Sequence, residues 1–424
     1  MVNYKGWLYL PVEIKVREMD AKLLLAYYAV REGYHVVIGE HKMVELASVV
    51  YPKGIFFSKG YPQGFRKRII TNANVNGHKV VELDEEGLLL NDTTQYINDR
   101  MKLDMLNLVT QEFCWGTFQK EVITNNNPDY RQKCHVVGNP RFDLLKPKFK
   151  TLYKEDVERI RSSYGEFILI NTRFSIYNSF NGKIKDNFMY FKKLYGSFLE
   201  MIKVACERFP HINFIIRPHP GENFDSYRKA FSSYNNVHVI HEGNIIKWLM
   251  AAEIVIHNGC TSSIEAFLLG KPIISYIPIT SNEYDVELPN KLGVKATCTE
   301  EVNTTLENML LKNIFTNSEY KQQIEQSEKE LIHYYDRSNN SFSYENIVRL
   351  LNTIKLFPVH RTFSPPQKTF HLKENKSVKH FFSALSKEEI KDIFDKLDKL
   401  EGTRSRILIK KLGKNLFEIQ SKMI

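Results

Sequence analysis

Short apolar runs of strand length recur along this chain, and the segments between most of them carry helical patterning. The runs are "GWLYLPV" (6–12), "HVVIG" (35–39), "GIFFS" (54–58), "HKVVEL" (78–83), "NLVTQ" (107–111) and "CHVVG" (134–138). "GNPRFDLLKPKFK" (138–150), with its two prolines, reads as a link, and the pattern then restarts. The second series is "FILINT" (167–172), "INFIIR" (212–217), "VHVIHE" (237–242), "EIVIHN" (253–258) and "PIISYI" (272–277). Brief apolar runs separated by helices predict strands of a parallel, doubly wound sheet buried on both faces. Between the first two runs, "EMDAKLLLAYYAVREGY" reads as a helix with an acidic start and a stop at Gly33.

The doubling of the pattern predicts an α/β chain of GT-B architecture. Two Rossmann-like domains would face a central crevice, with ligands at the C-terminal ends of the strands. The expected division is 1–145, 146–355 and a basic, partly helical tail at 356–424. Residues 355–424 hold 13 Lys and 3 Arg against 8 Asp or Glu, a net +8 of the chain's +10. Within the tail, "SKEEIKDIFDKLDKL" (386–400) places Ile390, Ile393, Phe394 and Leu397 at helical spacing. Such a tail suits an anionic membrane surface, where each Lys or Arg contributes about 1 kcal/mol. The plainer alternative is a solvated helical appendage. Few aromatics interleave with the charge, so nucleic acid is not expected.

The rest of the composition sets bounds. The first 20 residues lack a signal-peptide core, and no stretch approaches the roughly 18 apolar residues of a membrane span. Five cysteines, at 114, 134, 206, 260 and 298, form no CxxC pair, which suits a reducing compartment. The expectation is a cytoplasmic protein, peripheral at the inner membrane. No metal and no bound cofactor are expected, since DxD, GxGxxG, Walker A and HExxH patterns are all missing.

Candidate chemistry lies where strands end. "RPHPGE" (217–222) stops a strand on Arg217 and holds His219 between two prolines, Pro218 and Pro220. "HNGCTSSIEA" (257–266) puts Thr261, Ser262 and Ser263 at a helix start, where amides and hydroxyls can seat a phosphate or simply cap the helix. In "ELDEEG" (82–87), Asp84, Glu85 and Glu86 precede a glycine; they make either a solvated turn or a base or nucleophile. "PVEIKVRE" (11–18) alternates Glu13, Lys15 and Arg17 at the end of the first strand, as an interdomain salt-bridge cluster or as ligands. "NTRFS" (171–175) can bring Thr172 and Arg173 to a donor.

Taken in order, the acidic residues before glycine, His-Pro and Ser-Ser resemble the motif set of bacterial GT-B sialyltransferases and related CMP-sugar enzymes. "LYLPVEIKVREMDAKLLLA" (8–26) is similar to bacterial surface carbohydrate biosynthesis proteins, including capsule transferases for Kdo and pseudaminic acid. The resemblance covers residues 1–350 and leaves the tail outside. It implies that His219 bonds the cytidylate phosphate, with Arg217 nearby, and that Ser262 and Ser263 cradle it. Glu242 or Glu265 would hold the ribose hydroxyls, and Arg17 or Lys15 the acidic sugar's carboxylate. Glu86 would be the base, with Glu85, Asp84 and Glu13 as further catalytic candidates. The implied activity is transfer of an acidic sugar from a CMP donor to a lipid-linked or free surface glycan. The alternatives are a UDP-sugar 2-epimerase, a polyol-phosphate transferase or a non-catalytic assembly subunit.

Overall fold

The computed structural model describes residues 4–60, 63–90, 92–179, 187–311, 318–335, 341–356 and 381–422. The chain forms two compact units: Met1–Leu152 together with Leu331–Ile424, and Tyr153–Glu330.

In the first unit, β1 (Gly6–Val12), β2 (Tyr34–Glu40), β3 (Ile55–Ser58), β4 (Lys79–Leu83), β5 (Gln111–Cys114) and β6 (Cys134–Val136) are parallel neighbours in the order β2-β1-β3-β4-β5-β6. Every residue of β1 is buried, as a strand covered on both faces requires. The order reverses between β1 and β3, so the ends of those strands flank a topological switch point. The expected strand at 107–111 is displaced. Leu103–Leu106 is helical, Val109 is drawn into the core, and pairing with β4 begins only at Gln111. Glu13, Lys15 and Arg17 do not extend β1 as expected; it ends at Val12, and Lys15 opens the helix Lys15–Arg31.

The second unit carries β7 (Phe167–Asn171), β8 (Asn213–Arg217), β9 (Val237–Val239), β10 (Ile254–His257), β11 (Ile273–Tyr276) and β12 (Val294–Ala296). Their order, β12-β11-β10-β7-β8-β9, reverses between β7 and β10. The short β12, "VKA", has too little apolar length to stand out in the sequence.

The tail departs most from expectation. The helix Lys387–Leu400 forms as read, capped by Ser386, but its apolar side is occupied: Ile390, Phe394 and Leu397 are buried in the first unit. Phe394 meets Tyr27 edge-on at 5.3 Å, and Tyr27 Oη donates to Asp398 Oδ1 at 2.8 Å. Two further strands, β13 (Ile407–Gly413) and β14 (Leu416–Ser421), form a hairpin, and β14 pairs antiparallel with β2 from Leu416↔Gly39 to Ile419↔Val36. Gly39 permits this approach, because a Cβ there would lie 2.0 Å from Asn415 O. The pairing covers what would otherwise be an open edge of β2. Residues 381–422 are therefore part of the first unit, and three of the helix's apolar positions, Ile390, Phe394 and Leu397, are spent on packing within it. The chain crosses to the second unit at Leu152/Tyr153, not at 145, and is back in the first from Leu331, not leaving at 355. The basic stretch 357–380 lies outside the described residues. No helix among the described residues is long and apolar enough to cross a membrane.

Candidate functional site

At the switch point of the first unit, the strand ends carry a dense set of paired charges. Lys59, just past β3, is buried and donates to Glu13 Oε2 and Glu18 Oε1, both at 2.8 Å. Burial opposes ionisation of Glu13 and Glu18, but Lys59 outweighs it and holds both carboxyls below their ordinary range. Glu18 also accepts from Glu13 N at 2.9 Å, which ties the end of β1 to the first turn of the helix. Glu13 thus has a structural partner; the segment does form salt bridges, but they lie within the first unit and not between domains as expected. Lys15 turns elsewhere: it donates to Ala384 O at 2.6 Å and to Glu389 at 2.7 Å, anchoring the C-terminal helix.

The three carboxylates after β4 part company. Asp84 is buried, accepting at Oδ1 from Glu86 N at 3.0 Å and from Arg100 at 2.8 Å. Burial pushes its pKa up to about 6 even with Arg100 beside it. Glu85 is buried against Lys22 at 3.0 Å. Glu86 alone reaches solvent, 54% exposed, with Arg17 Nη2 at 2.5 Å. Burial of its surroundings disfavours its charge, but Arg17 prevails and holds it below the usual carboxylate range. Asp84 therefore shapes the turn that presents Glu86. Trp115 Nε1 donates to Asp84 O at 2.6 Å, and the Arg141 guanidinium lies over the Trp115 ring at 5.9 Å. Lys22, Lys59, Arg100 and Arg141 were not singled out from the sequence. Only Lys59, ending "IFFSK", carried a signal: a charge closing an apolar run.

Beneath this rim lies a charged group with no exposure at all. Arg66 contacts Glu82 Oε1 at 2.6 Å and Glu112 Oε2 at 3.4 Å, and Ser58 Oγ donates to Glu82 Oε2 at 2.9 Å. Burial, then the charge of Glu82, pushes the Glu112 carboxyl well above its ordinary pKa. Removing the single guanidinium would strand two buried carboxyls. Arg66→Met is expected to lower unfolding free energy by about 3–5 kcal/mol in urea titrations monitored by circular dichroism.

In the second unit, β8 ends on Arg217, which is buried over the Trp248 ring at 5.8 Å. Its Nη1 donates to Glu242 O at 3.0 Å and its Nη2 to Gly243 O at 2.5 Å. Burial pushes its pKa down to about 9. Arg217 thus fastens the 242–243 turn, and the Glu242 side chain is exposed. The His-Pro turn that follows is organised by Glu222, which the sequence reading passed over. This buried carboxylate accepts from Thr172 Oγ1 at 2.8 Å, from Tyr227 Oη at 2.5 Å and from His219 N at 3.0 Å. Thr172 is therefore committed to Glu222. His219 is exposed, and its Nδ1 accepts from Gly221 N at 3.1 Å, so in the neutral ring the proton sits on Nε2. Pro220 is half-buried beside it.

Past β10 comes the turn into the helix Ser262–Leu268. Ser263 is fully buried and donates to Cys260 O at 2.9 Å, so its hydroxyl serves the helix start. Ser262 Oγ accepts from Asn171 Nδ2 at 2.9 Å and lies 3.0 Å from Cys260 Sγ. Thr261 is half-buried at the N-cap with no side-chain capping bond, and Glu265 is buried one turn on. The capping reading is therefore not met at Thr261, and Ser263 instead bonds back to the Cys260 carbonyl. His257, at the end of β10, is fully buried; burial pushes its pKa down to about 3, and its Nε2 lies 3.2 Å from Ser275 Oγ.

No protein-family model and no curated protein sequence matches this chain. Solved structures do share its fold. A UDP-N-acetylglucosamine 2-epimerase aligns with a TM-score of 0.54 at 14% identity, over 86% of this chain and 100% of that one. The UDP-GlcNAc 2-epimerase of Methanocaldococcus jannaschii, solved with UDP-GlcNAc and UDP, aligns with a TM-score of 0.52 at 15% identity, over 82% of this chain and 100% of that one. The enzyme of Neisseria meningitidis, bound to UDP-GlcNAc, aligns with a TM-score of 0.51 at 13% identity and the same two coverages, 82% and 100%. The chain therefore has a GT-B-type fold of two Rossmann-like domains.

Proposed function

We propose that this protein is a nucleotide-sugar enzyme whose reaction breaks the bond between the sugar's anomeric carbon and the nucleotide phosphate. The observation that carries this reading lies in the second unit, where an exposed His219 and the Thr261 turn follow strands of one sheet. In the first unit, taken by itself, Glu86 is exposed and ionised beside Arg17. In this reading the His219 Nε2–H and the first amides of the Ser262–Leu268 helix meet the charge that grows on the leaving phosphate. Glu86 takes a proton from the sugar or its acceptor, or attacks the anomeric carbon.

Two substrates fit that description. A UDP-sugar, with 2-epimerisation as one outcome, is supported by the fold likeness. It is also favoured by the state of the cations expected to hold an acidic sugar's carboxylate: Arg17 is paired with Glu86 and Lys15 with Glu389. Transfer of an acidic sugar from CMP, the second reading, is supported by the order of the motifs. Thermal unfolding with UDP, CMP, CDP or no nucleotide separates them. A ligand at 100 times its Kd adds about 2.7 kcal/mol, a visible shift in Tm. Stabilisation by UDP is the expected result, followed by conversion of UDP-GlcNAc detected by NMR. Stabilisation by CMP alone would select the acidic-sugar donor, and none by any nucleotide would reject the proposal.

A further inference from the structure

The turn after β10 is gripped by one arginine that was expected to reach a donor. Arg173 points inward instead. Its Nε donates to Asn258 O at 2.8 Å, and its Nη2 donates to Asn258 Oδ1 and to Tyr284 O, both at 3.0 Å. The guanidinium lies 5.4 Å over the Phe191 ring. Gly259 sits against it at φ +57°, and a Cβ there would lie 2.9 Å from Arg173 Nε and 3.1 Å from Val286 Cβ. From the other side, Asn290 Oδ1 accepts from Gly259 N at 2.6 Å, while Asn258 Nδ2 donates to Tyr276 O at 2.8 Å. The partner segment is itself tied down: Tyr190 Oη donates to Asp285 Oδ1 at 2.5 Å, and Asp285 Oδ2 accepts from Ser281 N at 2.9 Å.

The fastenings thus join two stretches, 258–263 and 281–290, through the Arg173 fork, the Asn290 amide and Ser263 Oγ, which donates to Pro289 O at 3.4 Å. The bonds that tie the guanidinium to Asn258 and Tyr284 go to carbonyl and amide oxygens, so at those ties its reach and its flat geometry matter more than its charge; Tyr190 bonds it as well. The geometry points to Arg173 as a positioning residue: it holds the 258–261 turn in the form that receives a nucleotide phosphate and locks that turn to the 281–290 segment, without itself touching the phosphate. The inference rests on the nucleotide reading above for its ligand, but not for its mechanical content. A clamp of this kind acts on phosphate affinity and leaves contacts to the nucleoside alone. It also sets the local opening of both stretches together.

The test uses the full chain, with hydrogen exchange by mass spectrometry in the absence of ligand and calorimetric titration with UDP and with uridine. Arg173→Gln is expected to speed exchange at least tenfold in both 257–264 and 281–290, with β7 and β8 unchanged. UDP affinity is expected to fall at least tenfold and uridine affinity to hold, with Arg173→Lys recovering only part. Asn290→Ala, which cuts the opposite tie, is expected to loosen the same two stretches and keeps the test open if Arg173→Gln does not fold. Unchanged exchange alongside weakened UDP would make Arg173 a direct phosphate ligand and overturn the inference. Loosening of only one stretch, or an equal loss for UDP and uridine, would overturn it as well. If the wild type binds no nucleotide, the functional reading fails, and the exchange measurement alone decides the clamp.

Discussion

Truncation at residue 380 is expected to leave the first unit unfolded, not merely shortened. The lost segment carries β14, which hydrogen-bonds along β2, and the buried side chains Ile390, Phe394, Leu397, Leu416, Phe417 and Ile419. It also takes away Asp398, the acceptor of the buried Tyr27 hydroxyl. The point version is gentler and quantitative. Phe394→Ala removes a side chain 3% exposed that meets Tyr27 edge-on, and is expected to cost about 3–5 kcal/mol in urea unfolding. Lys410→Ala, on the exposed strand of the same hairpin, is expected to stay within about 0.5 kcal/mol. A stable, cooperatively folding 1–380 fragment would contradict the docked segment and restore the free appendage.

Replacing Glu86 by Gln is expected to cut turnover by about 10²–10⁴-fold while leaving nucleotide affinity within a factor of two or so. Glu86 is the carboxylate of its turn that meets solvent; Asp84 and Glu85 are buried. Full turnover by Glu86→Gln would remove it from the chemistry and shift attention to the paired Glu13. The pH dependence adds a separable signature through Asp84, whose burial sets its pKa at about 6. Below that value it loses the charge that holds Arg100 and the Glu86 amide, so activity is expected to fall as pH drops through about 6, and Asp84→Asn is expected to abolish that limb. Stability moves the opposite way. A carboxyl whose pKa rises on folding contributes stability below its unfolded pKa of about 4, and that contribution is lost as pH rises through about 6. A pH–rate limb unchanged in Asp84→Asn would dissociate that carboxyl from the turn.

The placement of site residues was only half legible. "RPHPGE" and "HNGCTSSIEA" announced turns at strand ends, and both turns are there. Yet Arg217 and Arg173, two of the cations expected at a ligand, bond to backbone carbonyls and an amide of their own unit. A sequence shows that a charge closes an apolar run; it does not show which oxygen lies within 3 Å. Glu222 went unnoticed for the same reason, since its three donors come from β7's exit, its own turn and the helix Phe224–Ala230.

Most strands of the two parallel sheets, and their twice-wound plan, were determined by sequence alone, because a strand buried on both faces is largely apolar and such runs are local; β5 was displaced, and β12, β13 and β14 were not read. Tertiary structure decided what the last forty residues do. Their apolar positions, Ile390, Phe394 and Leu397, call for a covering surface, but period and charge are the same whether that surface is a membrane or a protein. Only the open edge of β2, a bare Gly39 that admits Asn415, and Tyr27 opposite Phe394 select the protein. Those partners lie more than 350 residues away along the chain, beyond the reach of any local pattern.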